Sequence, residues 1–236
     1  MDHPRRRRAA IVGIASVVAA TCVALGSWQL ARLAERRDLN SRILARRDAT
    51  PVAIEGADAS AGSYRPAIAE GTYDVEHEML VYGSSLDGEA GHDVVTPLVL
   101  ADGDAILVVR GWVPFVTRSA PVAGAAPPPG TVRVQGVLVP DEGDGSTTPD
   151  ASGIVRTLDV AGIATTLPYG LAPHPLQLIE QTPAQTGDLP VPVPLVELSE
   201  GPHLSYAIQW FSFAAIALAG AAILVRREKR VPTGGP

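Results

Sequence analysis

The sequence predicts an α+β membrane protein, in which two transmembrane helices flank a mostly antiparallel β extracytoplasmic domain. Three observations carry this reading. Residues 9–31 and 204–225 are stretches of twenty-three and twenty-two residues without a charge. Each is long enough to cross a hydrocarbon core of roughly 30 Å at ~1.5 Å rise per residue. Between them, short runs rich in β-branched and aliphatic residues alternate with Gly, Pro and Asp turn signals, as strands do. The charges also divide sharply: 21 acidic residues face five arginines (65, 110, 118, 133, 156) between Asp48 and Pro202, and the other 14 of 19 basic residues flank the apolar stretches.

That balance of −16 on the central region excludes nucleic acid as a partner, because phosphate binding needs a basic footprint on the folded domain. It suits an exported domain kept soluble by its charge. At 236 residues there is room for one medium domain plus membrane segments. The single cysteine, Cys22, lies within the first apolar stretch. No intrachain disulfide and no paired-thiol chemistry are therefore expected.

Taken in order, residues 1–8 form a basic cytoplasmic start containing four consecutive arginines, and 9–31 form the first transmembrane helix. A signal peptide also begins with basic residues and an apolar run. Here the run is longer than a signal core, no small-x-small cleavage site stands at its end, and Cys22 follows Ala-Ala-Thr, a poor lipoprotein context. The expectation is a retained anchor. Residues 32–202 are the extracytoplasmic domain, 203–225 the second transmembrane helix and 226–236 a basic cytoplasmic tail. Eight basic residues lie on the side shared by the termini, and six follow the first helix on the other. The positive-inside rule thus places both termini in the cytoplasm of a plasma (inner) membrane protein by a narrow margin, and long loops translocate largely regardless of charge.

Within the exported region, Leu30, Leu33, Leu39 and Ile43 interleave with charges to about Arg47, extending the first helix beyond the apolar run until Pro51 ends it. Strands are expected over 79–82, 94–100, 105–109, 131–139, 154–158 and 176–180, with turns at Asp87-Gly88 and 101–104 and one short helix within 159–167. Residues 119–130 and the acidic stretch 140–152 break the pattern. Residues 189–195, Leu-Pro-Val-Pro-Val-Pro-Leu, must be extended and read as a stiff spacer more readily than as a groove-binding segment.

The second apolar stretch is unusual at its mouth, where His203, Tyr206, Trp210, Phe211 and Phe213 gather within eleven residues. At ~100° per residue, His203, Tyr206, Trp210 and Phe213 share a sector of about 80°. Ala214, Ala217 and Ala221 continue the stripe as a smooth seam for another helix. An imidazole at a membrane border marks a site to consider. Interfacial aromatic belts and a histidine bonded to a loop carbonyl are the plainer explanation. Catalytic patterns are lacking: His77-Glu78 has no second histidine at metalloprotease spacing, His92 and His174 stand alone, and there is no Gly-x-Ser-x-Gly elbow or phosphate-cradling glycine loop. No enzyme activity is expected.

Several segments together resemble the surfeit-locus family of cytochrome c oxidase assembly proteins, in an actinobacterial-like, two-span form. The first helix ends in Leu25-Gly-Ser-Trp28-Gln29-Leu30-Ala-Arg32, similar to the family's Leu-Gly-x-Trp-Gln-x-x-Arg. Tyr64-Arg65-Pro66 and Gly71-Thr-Tyr73 open the exported domain, followed by Thr96-Pro97 and by Ile106-Leu-Val-Val-Arg110-Gly111-Trp112-Val113-Pro114. His203-Leu-Ser-Tyr206-Ala-Ile-Gln-Trp210-Phe211 resembles the family's His-x-x-Tyr-Ala-x-x-Trp-Phe. Val109 stands where asparagine is common, and Glu200-Gly-Pro202 replaces the asparagines often found before the histidine.

The resemblance implies a factor that assists maturation of cytochrome c oxidase subunit I, with other respiratory-chain subunits and membrane lipid as its surroundings. It also implies a candidate haem a site: His203 as the iron ligand, with Tyr206, Trp210 and Trp28 against the macrocycle. Trp28 and Gln29 serve equally as an interfacial anchor. Arg110-Gly111-Trp112 reads as support for the fold, with a contact from Arg110 to haem propionates as the other option. The alternative function is a permanent accessory or structural subunit of the oxidase or a respiratory supercomplex, without a cofactor.

Overall fold

The computed structural model describes residues 3–56 and 61–230. The chain divides into two compact units, one of helices (through Arg42, and again from Leu198) and one of strands (Ile43–Glu197).

In the strand unit, β1 (Val52–Ile54), β2 (Pro66–Tyr73), β3 (Met79–Leu86), β4 (Glu89–Leu100), β5 (Ala105–Pro114), β6 (Thr131–Leu138), β7 (Ile154–Val155) and β8 (Leu176–Thr182) lie in one sheet of order β1-β2-β6-β8-β5-β4-β3-β7. A further pairing of β2 with β4 closes β2-β6-β8-β5-β4 into a barrel, which removes the open edges of those five strands. Gly71, Thr72 and Tyr73 meet Leu100, Val99 and Leu98 at the closure. Most pairings are antiparallel, as the sequence predicts; β1–β2, β3–β7 and β5–β8 are parallel.

Turn chemistry sets the registers. Asp87 (φ 51°) and Gly88 (φ 85°) join β3 to β4 through two residues of positive φ, the hairpin geometry that matches strand twist. Between β4 and β5, the Leu100 amide donates to the Asp104 carbonyl at 2.8 Å. Further along this pair Val94 opposes Gly111 while Val95 opposes Val109. Arg110 is therefore the extra residue of a β-bulge, and the bulge aims its side chain into the protein.

Two elements escape the sequence-based expectation. β2 alternates buried Ala67, Ala69, Gly71 and Tyr73 with more exposed Ile68, Glu70 and Thr72. Its inward residues are mostly too small to give a strong strand signal. The three-residue β1 gives less still. The proline segment is no free spacer: Trp112 and Val191 exchange two backbone hydrogen bonds of 2.8 Å, and Gln177 Nε2 donates to the Val193 carbonyl at 3.0 Å.

Ile106, Leu98, Val108, Val134 and Leu176 fill the barrel core. A second core of Met79, Leu107, Val155 and Ile163 packs beneath the short helix α2 (Val160–Ala164), within the span predicted to be helical. Buried Asp159 caps α2 and accepts backbone N–H groups from Gly162 (2.9 Å), Thr147 (2.8 Å) and Gly145 (3.2 Å). Those donors hold its carboxyl below the ordinary range. One carboxylate thus shapes the acidic loop before it.

His77, isolated in sequence, is not isolated in space. Asp74 Oδ2 accepts from Tyr169 Oη at 2.8 Å and meets His77 Nδ1 at 2.7 Å. Burial alone would raise the Asp74 carboxyl, but these hydrogen bonds outweigh it and leave the group lowered. A depressed carboxylate contributes stability above its unfolded pKa and loses it as pH falls through the folded value. The expected outcome is a urea midpoint that falls on acidification below about pH 4, near the free carboxylate value, with a smaller acid decrement in Asp74→Asn. Equal decrements in both proteins would contradict this role.

Of the two long helices, α1 spans His3–Arg47 and α3 spans His203–Arg230; the first continues past its apolar run, as predicted. Both contain segments long and apolar enough to cross a membrane. The buried positions of α1 include Ala19, Gly26, Leu33 and Asn40, and those of α3 are Ala207, Ala214 and Ala221. Both series step by seven residues, the repeat of paired helices packed at a shallow angle. Small side chains dominate the seam, which brings the backbones close: a Cβ on Gly26 would stand 2.8 Å from Phe211. Ala217 of the predicted seam is only half-buried, and Ala207 takes its place.

Candidate functional site

The entry into α3 is held against α1 by polar contacts. Arg37 donates twice to Glu200, Nε to Oε1 and Nη2 to Oε2, both at 2.9 Å. Asn40 Nδ2 reaches the carbonyls of Ser199 (3.3 Å) and Leu198 (3.4 Å). The hydrogen bond and charge of Arg37 hold the Glu200 carboxyl below its usual range. The chain then turns at Gly201 (φ 70°), whose amide donates to Ser199 Oγ at 3.0 Å, and helix α3 begins.

These contacts set His203 beside Gln29, Nδ1 to Oε1 at 2.8 Å. An amide oxygen only accepts, so Nδ1 carries a proton in this pair, and in the neutral imidazole Nε2 is then the nitrogen with a lone pair. Gly201 puts no side chain against that edge of the ring, where a Cβ would lie 3.5 Å from Nε2. A histidine oriented through its other ring nitrogen is the arrangement by which proteins present imidazole to a metal.

The other predicted site residues are distributed unevenly around the helix pair. Trp210 is half-buried against Ala19, Cys22 and Ala214, and meets Phe213 edge-on at 6.0 Å. Tyr206 and Trp28 face outward, 46% and 51% exposed. Arg32 lies 5.7 Å over the Trp28 ring. The structure thus brings together His203 with Gln29 and Trp210 with Phe213, and leaves the rings of Tyr206 and Trp28 exposed.

Haem fits this donor set better than a bare ion does. Among the described residues no group of three or more His, Cys, Asp or Glu could chelate a metal. A single imidazole with a free Nε2 and neighbouring aromatic surface suits a metal whose remaining ligands come from a macrocycle. Arg110 is elsewhere. Its side chain is fully buried and bonded to Glu78 at 2.9 Å, Gln185 Oε1 at 2.7 Å and the Ala125 carbonyl at 2.8 Å. It supports the fold, and the propionate option drops out. Sequence reading missed the Arg37–Glu200 link, because opposite charges 163 residues apart carry no local signal.

Residues 16–215 match the model of the SURF1 family. The chain belongs to the SURF1 family. That match runs from within α1 to within α3 and includes the whole barrel and the His203–Gln29 pair. A SURF1-like protein of Mycobacterium tuberculosis is 30% identical over 227 residues, covering 90% of this chain and 82% of the relative. One from Monosiga brevicollis is 32% identical over 216 residues (83% and 80%), and one from Rickettsia felis 28% over 214 (87% and 92%). The SURF1 family is generally linked to cytochrome oxidase assembly.

Proposed function

We propose that this protein is a membrane-anchored assembly factor that assists maturation of cytochrome c oxidase subunit I by holding haem a on His203. In this reading it spans the plasma membrane twice with both termini in the cytoplasm, works on the nascent subunit and turns over no substrate. Haem is cargo, which His203 would hold through Nε2. Gln29 fixes the ring through Nδ1, Trp210 and Phe213 give an apolar wall, and Tyr206 and Trp28 offer exposed aromatic surface for the macrocycle edge. The observation that carries the proposal is the His203–Gln29 hydrogen bond of 2.8 Å, which leaves one ring nitrogen able to ligate.

The test is haem content and optical spectrum after purification from a haem-a-producing host. His203→Ala should lose most bound haem, and His203→Met should move the ligand-field bands. Gln29→Leu should weaken binding by roughly tenfold or more, the usual cost of removing the partner of a ligating histidine. Unchanged haem content and bands in the histidine variants would overturn the ligand role. Enrichment on immature subunit I supports assembly, whereas stoichiometric presence in mature oxidase would make the chain an accessory subunit.

A further inference from the structure

Arginines at the end of α1, together with Arg65 before β2, separate into two kinds. Arg32, Arg37 and Arg42 each have a carboxylate partner, at 2.8, 2.9 and 2.6 Å. Arg46, Arg47 and Arg65 have none among the described residues. Arg46 makes one long contact with the Ser63 carbonyl (3.4 Å), and Arg47 donates to the Val196 carbonyl at 3.1 Å. Arg65 is half-buried, its Nε is fully buried, and its guanidinium makes no hydrogen bond among the described residues. A guanidinium brings five donors and a permanent charge, and burying it without an acceptor is costly. The deficit is more conspicuous because the surrounding unit is rich in acid.

Arg65 and Arg46 line one cavity of about 300 Å³, whose remaining walls are Ser63 and the small residues Ala45, Ala49, Ala61 and Gly62. Its floor is rigid. The Tyr64 amide donates to the Leu138 carbonyl at 2.6 Å and the Leu138 amide to the Arg65 carbonyl at 2.9 Å, which pins the loop to β6. Gly62 and Tyr64 both take positive φ (63° and 67°), turning Ser63 toward α1. Among the described residues no acidic side chain lines the space.

We infer that this cavity is a seat for a phosphate-type oxyanion, with Arg65 as the inner anchor and Arg46 as the outer clamp. Two guanidiniums from different elements supply the paired donors that phosphate oxygens accept, and the small walls leave room for a tetrahedral group. The site is separate from His203 and does not depend on the haem reading. Its occupant is either free phosphate or the phosphodiester of an acidic lipid, and the two sources are distinguishable.

The test uses the full-length protein. In detergent, thermal unfolding is followed with inorganic phosphate against chloride at matched ionic strength; in nanodiscs, phosphatidylglycerol is compared with phosphatidylcholine. Phosphate should raise the melting temperature of the parent protein. Arg65→Gln and Arg46→Gln should each lose most of that rise, with affinity for phosphate lowered about tenfold or more, as expected for a lost charge-assisted contact. Ala49→Glu, which places a carboxylate in the cavity, should raise the melting temperature without phosphate and abolish the response to it. A response confined to phosphatidylglycerol and lost in the same variants assigns the seat to lipid. No response in either arm, or an equal response in parent and variants, overturns the inference. Arg46→Gln and Ala49→Glu keep the test decisive if Arg65→Gln does not fold.

Discussion

Replacing Glu78 by alanine is expected to destabilise the β unit by about 3–5 kcal/mol, the usual result of stranding one member of a buried ion pair. The side chains of Glu78 and Arg110 are 1% and 0% exposed and meet at 2.9 Å. Glu78 also accepts from Thr96 Oγ1 and the Val122 amide, both at 2.8 Å. The loss therefore takes the carboxylate from a cation, a hydroxyl and a backbone N–H, and leaves Arg110 with neutral acceptors alone. Burial pulls the Arg110 guanidinium below its ordinary value and Glu78 works against that pull, so removing the carboxylate takes away the compensation. The measurement is equilibrium unfolding in urea. Glu78→Gln should recover part of the loss, because it keeps an acceptor while removing the charge. A Glu78→Leu, Arg110→Met double variant should be less damaged than the two singles predict, since the stranded charge is gone. A midpoint unmoved in Glu78→Ala would refute the account.

The second large effect is expected from Gly71→Ala. Gly71 lies where β2 closes on β4, and a Cβ there would stand 2.2 Å from the Val99 carbonyl oxygen. The obstacle is backbone, which no rotamer change can relieve. Steric insertions of this kind cost about 1–3 kcal/mol and sometimes more, and here the strain falls on the pairing that makes the sheet a barrel. Unfolding midpoint and amide hydrogen exchange should report it together, with faster exchange concentrated at the β2–β4 junction. Gly220→Ala, with nothing within 4 Å of its added Cβ, is the contrasting case and should leave that junction unaffected.

Much of this architecture was legible from local chemistry. The apolar stretches, the Asp87-Gly88 hairpin and the strand runs of β3 to β6 declare themselves through residue type and period. β2 does not, because a strand whose inward side chains are alanines and a glycine looks like loop until its neighbours are known. The Glu78–Arg110 pair was invisible for another reason: only the bulge at Arg110 turns that side chain inward, and a bulge is a property of two strands together. The His203 stripe was half legible. The wheel groups His203, Tyr206, Trp210 and Phe213, yet the buried stripe centres on Ala207, Ala214 and Ala221. Tyr206 and Phe213 lie about 80–100° round from it at ~100° per residue. They therefore flank the helix contact, while His203 and Trp210 border it.

The barrel closure also has a consequence for the order in which the chain becomes a folded object. β8 pairs with β6 on one side and β5 on the other, and it comes after every other strand in the chain. Until residues 176–182 have emerged from the ribosome, β5 and β6 are unpaired edges, the kind of surface that invites association between chains. Contacts this distant in sequence also form slowly, because the loop between them must be closed before pairing repays it. A chain that stops short of Leu176 would consequently be an open sheet rather than a shortened barrel, well suited to recognition by a quality-control protease.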